Sequence, residues 1–203
     1  MNEREIWEDF KLGLQTWEKQ DDGIVTYTGG VLHPTHPSIE EIRLDDIAGQ
    51  LSHIGRFTGA TSRFYSVAQH CVLVSKLLPL EYKLVGLMHD AAEYALGDIA
   101  KPWKDQLQNY KQIEETLLNT IFEALKLPYT AELPPIVKRA DWMALAWEQK
   151  EFMPDTDYWP HMLSDGDWRR LGIRYGRLAA LSPNEARVTF LETYKQLREV
   201  LEI

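Results

Sequence analysis

The sequence predicts an all-α domain of six or seven helices with a small β-hairpin near the N-terminus. Two observations carry this expectation. From about Asp45 onward, apolar residues recur at spacings of three and four, punctuated by prolines, glycines and helix-capping residues. Before that point the stretch IVTYTGGVLHPTHPSIEEIRL (24–44) is instead rich in β-branched and aromatic residues around a Gly29-Gly30 pair. A chain of 203 residues is long enough to bury a substantial core as one domain. The expected organisation is therefore a single domain over 1–203, with a β element at about 24–44, a helical core at about 45–152 and a C-terminal helix at about 183–202.

The elements follow in order. In DDIAGQLSHIGRF, Ile47, Leu51 and Ile54 mark one helical face. SVAQHCVLVSKLL opens with Ser66 and Gln69, the S-x-x-Q of a capping box, so its helix starts at Val67 and stops at Pro79. The next helix runs from about Leu80 to Leu96, with Gly97 as its C-cap. YKQIEETLLNTIFEALKL is a long amphipathic helix ending near Pro128. PPIVKRADWMALAWEQKEF begins with proline in the first turn, where helices tolerate it. The final helix opens with Ser182, Pro183 and Glu185: a cap, a first-turn proline and a capping-box acid. The segment 153–183 between these last two helices is long for a loop, and its Tyr158, Trp159 and Trp168 predict that it packs back on the body.

Composition excludes several classes of function. A net charge of −9 argues against a long nucleic-acid partner, whose phosphates require a basic surface, but leaves room for a small anion held by local cations. No apolar run approaches the roughly 18 residues needed to cross a bilayer. The charged MNEREIWEDF has no signal-peptide core, so the expectation is a cytoplasmic protein without a membrane partner. The single cysteine, Cys71, rules out an intrachain disulfide and a thiolate zinc cluster; among Val67, Val72 and Val74 it reads as a small buried residue.

Several ionisable residues fall where a helix would normally be apolar. His70 flanks the stripe formed by Val67, Cys71, Val74 and Leu78. Asp141 lies four residues after Val137 and three before Ala144. In GLMHDAAEYALGD, His89 and Asp90 directly follow Leu87 and Met88, with Glu93 one turn beyond His89. Each alone has an ordinary reading, as a hydrogen-bonded core histidine, a cap or an ion-pair partner. Together they offer two imidazoles and two carboxylates, a donor set suited to a divalent transition metal, and ligation would compensate their burial.

The ordered set of His70, His89-Asp90 and Asp141 resembles the signature of the HD-domain phosphohydrolases: a histidine, a His-Asp pair and a later aspartate on successive helices. The surrounding SVAQH, MHDAAEYALGDIAKPWK, VKRADWMALA and GRFTG are similar to the bacterial and prophage 5′-deoxynucleotidase-like branch, although Phe57 stands where many members carry tryptophan. The resemblance implies an HD-domain helical bundle. It also implies one divalent metal (Co, Mn, Zn, Fe or Ni, with Mg as a further option) on His70, His89, Asp90 and Asp141, a nucleotide substrate, and a homodimer; the aromatic region from Tyr158 to Trp168 either supplies contact surface for it or covers the protein's own core. No histidine lies between His89 and His161, against the extra ligands of two-metal members of the superfamily.

Phosphate ester hydrolysis needs an activated water, neutralised phosphate charge and a protonated leaving group. Glu93 and Asp98 are the candidate proton-transfer groups, with base and acid unassigned between them; Asp98 is alternatively a cap after Gly97. Arg56 and Lys104 are candidates for gripping phosphate, Lys104 alternatively being a solvated lysine. Phe57 and Trp103 either stack on a base or fill core. Arg63, His33, His36, His53 and His161 read as surface or loop residues. The expected activity is release of phosphate from deoxynucleoside 5′-monophosphates. The alternatives are a phage-type deoxynucleoside triphosphate triphosphohydrolase acting on dATP and a non-catalytic nucleotide-binding HD regulator.

Overall fold

Strands β1 (Ile24–Val25) and β2 (Val31–Leu32) pair antiparallel, with Ile24 opposite Leu32. Gly29 makes the turn at φ +84°, a conformation open to glycine and costly for other residues. The ribbon is narrower than the 24–44 stretch suggests: beyond Leu32 the chain runs through loop and a single 3₁₀ turn at Ile39–Glu41. The computed structural model describes residues 22–158 and 161–203; the charged N-terminal decapeptide and Trp159 lie outside them. A β-carbon at Gly49 would collide with the Tyr27 ring, so the ribbon can lie against the first helix only because that position is glycine.

That helix, α1 (Leu44–His53), buries Ile47, Ala48 and Leu51 completely. Helix α2 (Val67–Leu77) starts where its capping box dictates: the Gln69 amide donates to Ser66 Oγ at 3.3 Å, and Ser66 N–H donates to Gln69 Oε1 at 3.4 Å. Every residue from Val67 to Ser75 is buried, so α2 is the central helix, packed against α1, α3, α7 and α9.

The single helix expected over Leu80–Leu96 is divided. Helix α3 ends at Met88, and α4 occupies only Glu93–Leu96. Between them the amides of Ala91, Glu93 and Tyr94 bond three residues back, to Met88, Asp90 and Ala91, rather than four. The helix thus tightens to 3₁₀ geometry through His89 and Asp90, which aligns residues three apart. Gly97 closes it as expected, at φ +78° with its amide on Glu93 O at 2.8 Å. A one-turn α5 (Lys101–Lys104) follows, then α6 (Tyr110–Ala124), burying Leu117, Leu118, Ile121 and Phe122.

Helix α7 (Pro135–Phe152) faces the core with Val137, Ala140, Ala144 and Trp147. The segment 153–183 holds a helix that its pattern did not announce, α8 (Asp165–Tyr175), capped by Ser164 and ended by Gly176. Trp168 and Tyr175 pack against the cluster containing Trp147, but Tyr158 is 97% exposed, which corrects the expectation that it folds back on the body. The apolar face beside Trp147 is covered instead by Trp168, Leu171 and Tyr175 of α8. Helix α9 (Pro183–Leu201) carries the expected cap and buries Ala186, Phe190, Tyr194 and Leu197.

Among the described residues there are thus seven helices of nine residues or more, two single-turn helices and one hairpin: an all-α domain with an N-terminal ribbon. One apolar cluster lies between the ribbon, α1, α2, α3, α6 and α9, and a second between α2, α3, α7 and α8. Each fully buried Leu or Phe in them stabilises the fold by roughly 1.5–3 kcal/mol. Helices α2 and α3 belong to both clusters, and the polar residues singled out above lie where these helices meet α7. No helix of the described residues is long and apolar enough to cross a membrane.

Candidate metal centre

Three elements bring the site together. Helix α2 supplies His70, whose surface is wholly buried. The 3₁₀ stretch after α3 supplies His89 and Asp90, and α7 supplies Asp141 at the rim. His70, His89 and Asp90 form a compact group whose ligand atoms all lie within 4.8 Å of one another, a group able to hold a metal ion. Asp141 stands beside it, Oδ1 being 3.1 Å from His70 Nε2 and 4.0 Å from His89 Nε2. Asp90 Oδ2 is 3.1 Å from His89 Nε2 and 3.5 Å from His70 Nε2.

Both imidazoles are oriented from behind. His89 Nδ1 lies 2.8 Å from Gly86 O, and a carbonyl only accepts, so Nδ1 carries the proton. Gly86 is itself a close-approach position, where a β-carbon would run into Leu78 of the neighbouring turn. His70 Nδ1 lies 2.8 Å from Glu148 Oε1. In their neutral forms both rings therefore present Nε2 lone pairs to each other and to the carboxylates. Both Nε2 atoms are buried and make no hydrogen bond among the described residues. Buried nitrogens left so are uncommon, and a cation among two lone pairs and two carboxylates satisfies all four.

The electrostatics agree. Burial works to lower the pKa of His89, yet the Asp90 carboxylate beside it lifts it well above the usual imidazole value. His70 is raised against its burial and the Arg56 charge by Glu148 and Asp141. Burial works to raise Asp90, but His89, His70 and Arg56 hold it below the usual carboxylate range. Asp141 is lowered against its burial by His70 and His89. The carboxylates are thus ionised, and the pocket attracts positive charge.

Glu93 is 4% exposed, with Oε1 3.5 Å from Lys104 Nζ and Oε2 without a hydrogen-bond partner among the described residues. Burial, then the charges of Asp90 and Asp98, push its pKa well above the usual carboxylate value. Lys104 Nζ also pairs with Glu114 at 2.7 Å. Asp98, just past Gly97, points its carboxylate to within 3.6 Å of Arg56 Nη1. Arg56 is buried, and its Nη2 donates to Glu148 Oε2 at 3.3 Å, so both ends of the guanidinium are engaged. Phe57 lies under that guanidinium, 5.4 Å from ring centre to Cζ. Phe57 and the following Thr58 are both left-handed, at φ +55° and +54°, a strained pair for side chains of this kind. Trp103 projects from α5 with 71% of its surface exposed.

Of the histidines read as surface or loop residues, His53 and His36 are exposed; His33 is half-buried on Glu41, and the His161 side chain is largely covered. Sequence reasoning missed Glu148. Its one signal is its place seven residues after Asp141, two helical turns along the same inward face of α7.

No family model matches the chain. It is 34% identical over 114 residues to the uncharacterized protein RCAP_rcc00048 of Rhodobacter capsulatus, across 51% of this chain and 57% of that protein. It is 36% identical over 178 residues to the uncharacterized protein YfdR of Escherichia coli strain K12, across 87% of this chain. That similarity spans 96% of YfdR, and the chain belongs to the YfdR family.

Proposed function

We propose that this protein is a metal-dependent phosphohydrolase that removes the 5′-phosphate from deoxynucleoside monophosphates. The observation that carries the reading is the meeting of His70, His89, Asp90 and Asp141 from three helices, with two buried imidazole nitrogens aimed at the carboxylates. These four residues would hold one divalent transition metal. A bound ion of this kind supplies Lewis-acid polarisation of a phosphoryl oxygen and acidifies water.

The chain's own groups supply the rest. Glu93 takes a proton from the attacking water at Oε2, which has no hydrogen-bond partner among the described residues; burial, Asp90 and Asp98 raise its pKa, and Lys104 and Arg56 act to lower it. Lys104, 3.5 Å from Glu93, neutralises charge as phosphate enters. Asp98, a carboxylate beside Arg56, holds the sugar, and the proton that Glu93 has taken passes to the leaving oxygen. Trp103 offers an exposed face on which a base stacks, and such stacking discriminates bases poorly. The preference for 2′-deoxy sugar rests on the family resemblance; it requires a tight pocket beside Asp98 where an added hydroxyl is left unpaired.

The experiment is phosphate release from ribo- and deoxyribonucleoside mono- and triphosphates with Mn or Co, and with chelator as control. Release from deoxynucleoside monophosphates that chelator abolishes is expected. Equal rates on ribo forms would defeat the sugar assignment. Triphosphate release with inert monophosphates would replace the reading with a triphosphohydrolase. Nucleotide binding without release under any condition would leave a regulator.

A further inference from the structure

We infer that Glu148 is a positioning residue: it sets the tautomer and orientation of His70, and Arg56 holds it in place. The inference rests on the reading of His70 as a metal ligand. Glu148 is wholly buried, with Oε1 2.8 Å from His70 Nδ1 and Oε2 3.3 Å from Arg56 Nη2. A carboxylate paired with a guanidinium is an acceptor only, so the imidazole donates from Nδ1 and its Nε2 lone pair faces Asp141 and Asp90. Histidine ligands are commonly fixed in this way by a carboxylate or carbonyl behind the ring.

The two histidines are buttressed differently. His89 rests on a neutral carbonyl of its own helix, three residues away, whereas His70 rests on an anion from another helix. The anionic acceptor makes His70 the stronger donor towards a cation. Helix α7 thereby supplies both a rim carboxylate, Asp141, and the group behind the opposite ligand, two turns along. Arg56 spans from Glu148 to Asp98, so it joins the buttress to the carboxylate just past Gly97. Its part here is to hold Glu148, through the Nη2 contact at 3.3 Å.

The test uses the full chain, stripped by chelator and titrated with Co²⁺, as wild type and as Glu148→Gln, with circular dichroism to confirm folding. Glutamine keeps the size and one oxygen but not the charge. A 10- to 100-fold loss of Co²⁺ affinity and an altered visible spectrum are expected. Unchanged affinity and spectrum in a folded variant overturn the inference while leaving the metal site intact. A wild type that takes up no Co²⁺ overturns the metal site and the inference with it. Should the variant not fold, ring-nitrogen NMR of the Zn²⁺-loaded wild type decides: a protected proton on His70 Nδ1 supports the assignment, and coordination through Nδ1 overturns it.

Discussion

Replacing Glu148 by leucine tests the buried network through stability alone. The change removes a carboxylate that is 0% exposed and leaves Arg56, 10% exposed, with only Asp98 at 3.6 Å. His70 Nδ1 loses its acceptor at 2.8 Å as well. Removing one partner of a buried ion pair costs about 3–5 kcal/mol, because the remaining charge is stranded. Asp98 still faces the guanidinium, so the low end, about 3 kcal/mol, is expected. For a chain of this size that is a drop in Tm of roughly 6–12 °C. Arg56→Met should be comparably damaging. The double variant should recover about 2 kcal/mol or more relative to additivity, since an apolar pair of similar volume strands no charge. Recovery is incomplete because the His70 donor stays unsatisfied. Urea denaturation in chelator reads all four proteins without any contribution from bound ion. A single-variant cost below about 1 kcal/mol, or additivity in the double variant, would refute the argument from buried charge.

Three further outcomes are expected. Glu93→Gln should keep its Co²⁺ and lose about 10²-fold or more in turnover, measured by phosphate release on metal-loaded protein; near-normal turnover would make Glu93 a structural residue. In the chelated protein, burial opposes protonation of His89 and His70, yet both are raised above the usual imidazole value by their carboxylates. Their stabilising contribution is therefore fully present below about pH 6.5 and lost as pH rises through the higher folded values. Urea midpoints should fall over that window and flatten with saturating Co²⁺, whereas midpoints that climb with pH would contradict the sign. Thr58→Gly should relieve a left-handed β-branched residue on an exposed turn and raise stability by about 1 kcal/mol; a lower thermal midpoint would show that Thr58 makes a contact worth more than its strain.

What the sequence disclosed is what local chemistry controls. Ser66 with Gln69 and Ser182 with Glu185 set helix starts because a cap acts within three residues, and Gly97 marked a stop because few other residues adopt its φ. The His70, His89, Asp90 and Asp141 set was legible because ionisable groups on apolar faces need a reason. The rest depended on tertiary structure. The break after Met88 lies within an unbroken helical pattern, since 3₁₀ and α geometry share the same apolar spacing over one turn. Helix α8 was hidden by Gly166 and Gly172 and by five charged residues in its eleven. Arg56 reads from the sequence as a phosphate contact, and only a partner 92 residues away explains its burial.

The distance along the chain between these partners bears on how the protein assembles. His70 sits on α2, and His89 and Asp90 on the 3₁₀ stretch directly after the adjacent α3, whereas the His70–Glu148 and Arg56–Glu148 contacts close loops of 78 and 92 residues. Closing such loops costs entropy that neighbouring helices do not incur, so docking of α7 comes after α2 and α3 have met. On the ribosome, three of the four donors emerge before α7 has been synthesised. An ion captured at that stage would sit in an incomplete cage, and the arrival of α7, carrying Asp141 and Glu148 together, would change a loosely exchanging ion into a resident one. Loading and the last step of folding are then one event, and refolding in the presence of Co²⁺ should develop the cobalt spectrum in step with the final folding phase rather than ahead of it.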